Sequence, residues 1–197
     1  GLQSSLNLRV AVDGDTLWVG TFDGVARIDA KRHRVARFYR KELGIVGSSS
    51  SSVVHARGGS VWAEVRAHAQ STGGVSRYDA ATDTWTAYGP EEFGTYKRIY
   101  FERFAVADAG VFAVYQIAGP DSTVLRKFVD GRWVELARGA YADGSRDRMI
   151  AQHFPPPEAY ADFIGGERGE ATSILRVRHR TGFADIMPKP APRRYLA

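Results

Sequence analysis

Residues 90–102 alternate aromatic and cationic side chains in a way that suits ligand binding. Aromatic rings stack on sugars or bases, and a cation beside them attracts acidic groups. We therefore predict four ligand-binding residues in this segment: Tyr96, Lys97, Arg98 and Tyr100. The rings of this segment, which also include Phe93 and Phe101, could instead fill a gap between two structural units. The sequence leaves both interpretations open.

A second candidate site lies in residues 139–151. The run Asp143-Gly144-Ser145-Arg146-Asp147 places oxygen-bearing side chains at alternate positions, as calcium-binding loops do. It lacks the further acidic ligands of such loops, so we predict a solvated turn. We assign Arg146 and Asp147 to ligand binding and not to a metal.

Histidine adds one candidate, His68, which follows a predicted buried strand. The five histidines do not fall at a metal-binding spacing. The sequence also contains no Gly-X-Ser-X-Gly elbow, phosphate-binding glycine loop or dinucleotide fingerprint. We therefore predict no catalytic residue, no metal and no cofactor.

The composition is that of a globular protein of 197 residues, with 44% hydrophobic and 25% charged residues. The absence of cysteine excludes disulfides, thiolate metal sites and cysteine nucleophiles. No apolar run reaches the roughly 18 residues of a membrane helix, so no membrane span is predicted. The cations behind the formal charge of +5 are spread along the chain, which predicts no nucleic-acid partner. Because the chain begins with Gly1 and not Met, we expect a mature form or an excised region.

Two landmarks recur through the chain at an interval of about 50 residues. The first is an arginine two residues after a valine or isoleucine, found at Arg27, Arg77, Arg126 and Arg176, with separations of 50, 49 and 50 residues. The second is a pair of large apolar residues three apart: Val35 and Phe38, Trp85 and Tyr88, Trp133 and Leu136, Phe183 and Ile186. A constant period in two landmarks indicates a repeat architecture.

Each repeat reads as four antiparallel strands, with a buried second strand and a polar turn between the last two. A single sheet of this kind cannot bury both faces, so neighbouring sheets must stack as propeller blades. The predicted fold is all-β, a propeller in residues 1–187 with blades at about 6–40, 51–89, 103–138 and 150–187, followed by a Pro/Arg-rich tail at 188–197. The connections 41–51, 90–102 and 139–151 should lie on one end of the blades. The prolines at 155–157 exclude a central strand there.

The run Asp15-Thr16-Leu17-Trp18-Val19-Gly20-Thr21, followed by Gly24 to Asp29, resembles the two-component-regulator propeller repeat. The second unit keeps Trp62 and Arg77-Tyr78-Asp79 but has Ala63-Glu64 in place of the Gly-Thr pair. Residues 78–85 are also similar to a Kelch repeat. The first resemblance implies a bacterial extracytoplasmic sensor region or a secreted binding protein. Four units are fewer than such rings usually contain, which implies either a closed four-bladed ring or part of a larger propeller.

Three functions fit these observations. The first is a non-catalytic module, a sensor or scaffold region that recognises a small molecule, a glycan or a protein. The second is a propeller enzyme, a lyase or glycan-active protein, with His68, Arg98 and Asp147 converging at the channel mouth. The third is a structural assembly module that pairs with further blades or with another subunit. The first function is the one that the sequence favours, because no catalytic constellation is present.

Overall fold

The computed structural model describes residues 7–21, 23–46, 52–65, 67, 72–118, 122–156 and 159. These residues form three antiparallel sheets of four strands each, in the order of the chain. The first sheet contains β1 (Asn7–Asp13), β2 (Thr16–Thr21), β3 (Gly24–Asp29) and β4 (Arg34–Tyr39). The second contains β5 (Ser52–Arg57), β6 (Ser60–Val65), β7 (Gly74–Asp79) and β8 (Thr84–Tyr88). The third contains β9 (Ile99–Ala107), β10 (Gly110–Ile117), β11 (Thr123–Val129) and β12 (Arg132–Gly139).

Two further elements lie in the connections: a 3-10 turn at Lys41–Leu43 and helix α1 at Ser145–His153. No helix among the described residues is both long and apolar enough to cross a membrane.

The turns between the third and fourth strands follow the predicted chemistry. Asp29 accepts a hydrogen bond from the backbone nitrogen of Arg32 at 3.0 Å, and Asp79 accepts one from Ala81 at 2.9 Å. A residue in the left-handed region closes each turn, at His33, Asp83 and Asp130, with φ of 52°, 55° and 49°. Aspartate tolerates this region better than most residues do, so polar turn residues here direct the hairpin.

Aromatic side chains fill the spaces between successive sheets. Trp18 and Tyr39 of the first sheet pack against Tyr78 and Trp85 of the second, with ring centroids 4.6 to 5.8 Å apart. Trp62 and Tyr88 of the second sheet pack in the same way against Phe128 and Trp133 of the third. The first strands β1, β5 and β9 lie side by side. The three sheets therefore stack face to face as predicted.

Helix α1 covers the face of the third sheet that points away from the second. Phe112, at the position of Trp18 and Trp62, lies 6.3 Å from the ring of Phe154 just after the helix. Met149 and Ile150 are buried against the same face. The sequence predicted a loop and a solvated turn in this region, so the helix corrects that prediction.

The structure also corrects the predicted number of blades. The described residues contain three sheets, not four, and these three do not form a closed ring. Most of the predicted fourth unit, 150–187, lies outside the described residues. Its first four residues belong to α1. The consecutive residues Met149 and Ile150 are both buried against one sheet, whereas in a strand they would point to opposite faces.

The repeat landmarks are shifted by one residue at three positions. Lys127, and not Arg126, pairs with Phe112 as Arg27 pairs with Trp18 and Arg77 with Trp62. A shift by one residue moves a side chain to the other face of the sheet. The position of Tyr88 is taken by Tyr39 in the first sheet and by Ala137 in the third. The predicted residues were Phe38 and Leu136, and the difference arises because bulges lengthen β4 and β12.

Candidate functional site

The connection 90–98 is held at both ends by buried residues. Phe93 is 1% exposed and stacks on Trp133 with ring centroids 5.0 Å apart. Its carbonyl oxygen accepts a hydrogen bond from the Tyr115 hydroxyl at 2.9 Å. Ile99 is fully buried, and its backbone nitrogen donates to the carbonyl of Thr72 at 3.0 Å. The connection is therefore anchored on the second and third sheets.

Between these anchors the connection exposes its polar and aromatic residues. Tyr96 is 88% exposed, and Lys97 and Arg98 beside it are exposed as well. The backbone nitrogen of Lys97 donates to the Thr95 hydroxyl at 3.0 Å, which fixes the turn that carries Tyr96. The two interpretations of this segment thus apply to different residues: Phe93 fills the gap between sheets, and Tyr96 to Arg98 face solvent.

Tyr100 lies on a strand and not in the predicted loop. Strand β9 begins at Ile99, within the segment 90–102 that the sequence predicted to be a connection. Tyr100 lies opposite Gln116 in the β9–β10 ladder and is 41% exposed. The backbone of Arg98 continues this pairing, since its carbonyl accepts from Ala118 at 3.0 Å. Pairing with β10 therefore fixes the backbone of both Arg98 and Tyr100.

A bulge in β9 places Glu102 at the centre of a polar cluster. Phe101 and Arg103 pair with consecutive residues of β10, so Glu102 has no partner of its own in the ladder. Bulges commonly redirect a side chain in this way. The Glu102 carboxylate accepts hydrogen bonds from Tyr141 at 3.0 Å and from Thr123 at 3.3 Å. Arg146 donates to it through Nε at 2.8 Å.

Arg146 therefore joins the connection 139–151 to β9, the first strand of the third sheet. Its guanidinium also lies 4.3 Å from the ring centre of Tyr141, a cation–π contact. Burial opposes the charge of Arg146, but its hydrogen bond to Glu102 raises its pKa. Partial burial and the hydrogen bond to Glu102 raise the pKa of Tyr141 as well. Arg146 is thus engaged in holding the start of α1 in position.

The predicted residues of the third connection fall into two environments. The Arg146 side chain is only 16% exposed, whereas that of Asp147 is 75% exposed and forms an ion pair with Arg146. Arg146 binds Glu102 of β9, the strand that also carries Tyr100, so Arg146 and Asp147 lie next to this strand. Their assignment to ligand binding stays a prediction.

Tyr141 and Glu102 were missed by the sequence analysis. Tyr141 is 50% exposed at the rim of the cluster. A signal for it was present, since Tyr141 stands in the connection that the sequence analysis singled out. Glu102 gave no signal, because its position depends on a bulge.

His68 lies outside the described residues, so the convergence of His68, Arg98 and Asp147 that an enzyme would need stays a prediction. Within the described ranges, no group of three histidine or acidic side chains is arranged to hold a metal ion.

A buried pair elsewhere joins two inner strands. His55 Nε2 of β5 lies 3.4 Å from Glu64 Oε2 of β6, and both side chains are less than 10% exposed. The His55 ring also packs 4.9 Å from Phe104 of the third sheet. A carboxylate buried this far requires such a partner, and the pair belongs to the contact between the second and third sheets.

No protein-family model matches the chain, and no curated protein matches it. One solved structure with a similar fold is the extracellular domain of the one-component system BT4673 from B. thetaiotaomicron, at 12% sequence identity and a TM-score of 0.48. The similarity covers 68% of this chain but only 18% of that one.

Proposed function

We propose that this chain is a non-catalytic recognition module that binds a ligand or a protein partner with the surface formed by Tyr96, Lys97, Arg98 and Tyr100. The observation that carries the proposal is the exposure of Tyr96, 88%, only three residues from each of two buried anchors, Phe93 and Ile99. An exposed aromatic side chain on an anchored backbone loses little conformational freedom on binding, which favours affinity.

The chemistry of this surface favours a partner with a flat or apolar part next to an acidic group. Tyr96 and Tyr100 supply aromatic faces, and Lys97 and Arg98 supply positive charge beside them. Arg146 and Asp147 lie in the adjacent cluster around Glu102. We propose that they position this edge of the surface and that the bound ligand extends towards them.

The finer architecture is part of the same proposal. The three stacked sheets support three consecutive blades of a β-propeller of the two-component-regulator type, and any further blade is proposed to lie away from the face of the third sheet that α1 covers. We also propose a periplasmic or secreted location, as expected for a sensor region of this type.

The proposal is tested by replacing Tyr96 and Arg98 together with alanine. Both side chains are exposed, so the variant should keep the wild-type melting temperature. Wild type and variant are screened side by side by differential scanning fluorimetry against a panel of sugars, amino acids and acidic metabolites. A compound that stabilises the wild type should lose at least tenfold in affinity for the variant.

A matched control is the double substitution of Arg132 and Val134 with alanine on β12. Val134 is 39% exposed, and Arg132 is exposed as well. This control should bind as the wild type does. If every compound that binds the wild type binds the Tyr96/Arg98 variant equally well, the proposed surface is not the binding site.

A further inference from the structure

A strong concentration of positive charge lies in residues 31–41. This segment contains six cations and no aspartate or glutamate: Lys31, Arg32, Arg34, Arg37, Arg40 and Lys41. The formal net charge of the whole chain is +5. Without these six cations, the remaining residues therefore have one more acidic than basic group. This corrects the reading of the sequence in which the cations are spread along the chain, because the excess of positive charge lies in one short segment.

The structure places this segment along the edge of the first sheet. It covers the β3–β4 turn, strand β4 and the beginning of the 3-10 turn. β4 is the last strand of its sheet, and β3 is its neighbour within the described part of the chain. Residues 31–36 are all exposed, with the Lys31 and Arg32 side chains 73% and 70% exposed.

Nearby acidic groups compensate only part of this charge. Asp15 pairs with Lys31, Asp29 pairs with Arg32 at 2.8 Å, and Asp83 pairs with Arg37. Asp83 is shared with Arg27 of β3, at 2.8 Å. With Glu42, which directly follows Lys41, four acidic groups thus face seven cations. A positive excess remains at this edge.

Charged residues on an edge strand can also serve to prevent aggregation, but the other edges of this protein argue against that explanation. β8 carries no charged residue between Thr84 and Tyr88. On β12, Glu135 lies between two arginines and binds Arg138 at 3.0 Å. Among the last strands of the three described sheets, β4 alone carries cations without an acidic residue on the same strand, so its charge requires a reason of its own.

We infer that the edge formed by residues 31–41 is an interaction surface for an acidic polypeptide segment. Arginine side chains bind carboxylates through two parallel hydrogen bonds, which suits aspartate and glutamate side chains. Val35, 37% exposed between the cations, adds an apolar contact. The bulge between Val35 and Arg37 interrupts the regular ladder, so the side chains and not the backbone make the contacts.

The aromatic residues of this edge do not favour a nucleic acid. Binding of single-stranded RNA or DNA requires exposed rings on which bases stack. Here Tyr39 is fully buried, and the guanidinium of Arg40 lies 5.3 Å from the ring centre of Phe38. Tyr39 cannot stack on a base and Phe38 is half-buried beside Arg40, whereas Arg34 and Lys41 are exposed.

The test measures binding of a fluorescent oligoglutamate peptide to the whole chain by anisotropy. The test variant is Arg34→Glu with Lys41→Glu, two exposed positions. The control is Arg132→Glu with Arg148→Glu, two exposed positions on β12 and α1 that change the net charge equally. We expect the test variant to bind about tenfold more weakly and the control to bind within about twofold of the wild type.

Binding should also weaken steeply as ionic strength rises. Three outcomes overturn the inference: no binding of oligoglutamate at low ionic strength, equal losses in the two variants, or tighter binding of an RNA oligomer or of anionic vesicles than of oligoglutamate. The surface is separate from the one around Tyr96, so either proposal can fail without the other.

Discussion

Asp83 joins the first two sheets, and its replacement by asparagine tests how much this junction stabilises the fold. Asp83 lies in the β7–β8 turn with φ of 55°, a conformation that asparagine also adopts. Its carboxylate accepts hydrogen bonds from the Tyr39 and Tyr78 hydroxyls at 2.5 and 2.6 Å. Arg27 at 2.8 Å and Arg37 complete the cluster as ion pairs. Asp83→Asn therefore removes the charge without straining the backbone.

The magnitude follows from the pKa of Asp83. Burial opposes the charged form, but the hydrogen bonds from Tyr39, Tyr78 and Arg37, with the charge of Arg27, lower the pKa of Asp83 from 3.8 to about 2. A difference of this size corresponds to roughly 2.5 kcal/mol. Because 29% of the side chain is exposed, solvent screening reduces the expected contribution to about 2 kcal/mol.

The pH dependence has a definite sign. The pKa of Asp83 is lower in the folded state than in the unfolded state, so its stabilisation is present above about pH 4 and is lost as the pH falls through about 2. Urea denaturation at pH 7 should give Asp83→Asn a free energy of unfolding about 2 kcal/mol below the wild type. About half of this difference should remain at pH 3, and little at pH 2.

Asp108→Asn is the matched control. Asp108 also joins two sheets, through Arg57 at 2.8 Å, but its side chain is 85% exposed. Exposed ion pairs contribute little, so this variant should unfold at nearly the urea concentration of the wild type. Equal effects of the two substitutions, or an Asp83→Asn effect that does not change with pH, would refute the reasoning.

Two further substitutions test the support of the binding surface. Phe93→Ala should lower the free energy of unfolding by about 3 to 5 kcal/mol, because it empties a site stacked on Trp133; urea denaturation measures this, and Phe93→Leu should cost clearly less. Glu102→Gln should release Arg146 and Tyr141 and speed amide hydrogen exchange at the start of α1 several-fold, with no change in β1 to β4. Unchanged exchange in α1 would show that this cluster does not hold the helix.

The strands and turns of this fold could be predicted because local chemistry determines them. Buried apolar runs such as that around Trp62 lie between glycine or aspartate turns, and all twelve observed strands contain a predicted strand. The division of the connection 90–102 into buried and exposed residues could not be predicted. It depends on Trp133, which lies more than thirty residues away in the sequence and covers Phe93.

Register could be predicted only to within one residue. The bulges in β4 and β12 arise where a strand accommodates its neighbour, and no residue type in the sequence marks them. They explain why Tyr39 is fully buried while the predicted landmark Phe38 is half-buried. The bulge at Glu102 had the larger consequence, because it created the cluster with Arg146 that the sequence did not reveal.

Helix α1 explains a difference among the three sheets that the repeat alone does not. Arg27 reaches Tyr78 of the next sheet at 2.6 Å, and Arg77 lies 5.7 Å from the ring centre of Phe128 in the next sheet. At the same position in the third sheet, Lys127 lies over Phe112 of its own sheet. In the first two sheets, the arginine at this position thus reaches a partner on the next sheet.

The third sheet faces α1 instead, and the helix presents Met149 and Ile150, which offer no acceptor to a guanidinium. The third sheet therefore has Lys127 where the first two have arginine, and Phe112 where they have tryptophan, for the same reason: its neighbour is a helix and not a sheet. Positions that repeat serve the stacking of sheets. The proposed surface at 96–100 lies where the repeats differ. The exposed cations of the proposed surface at 31–41 lie at positions where the stacking of sheets does not determine the side chain.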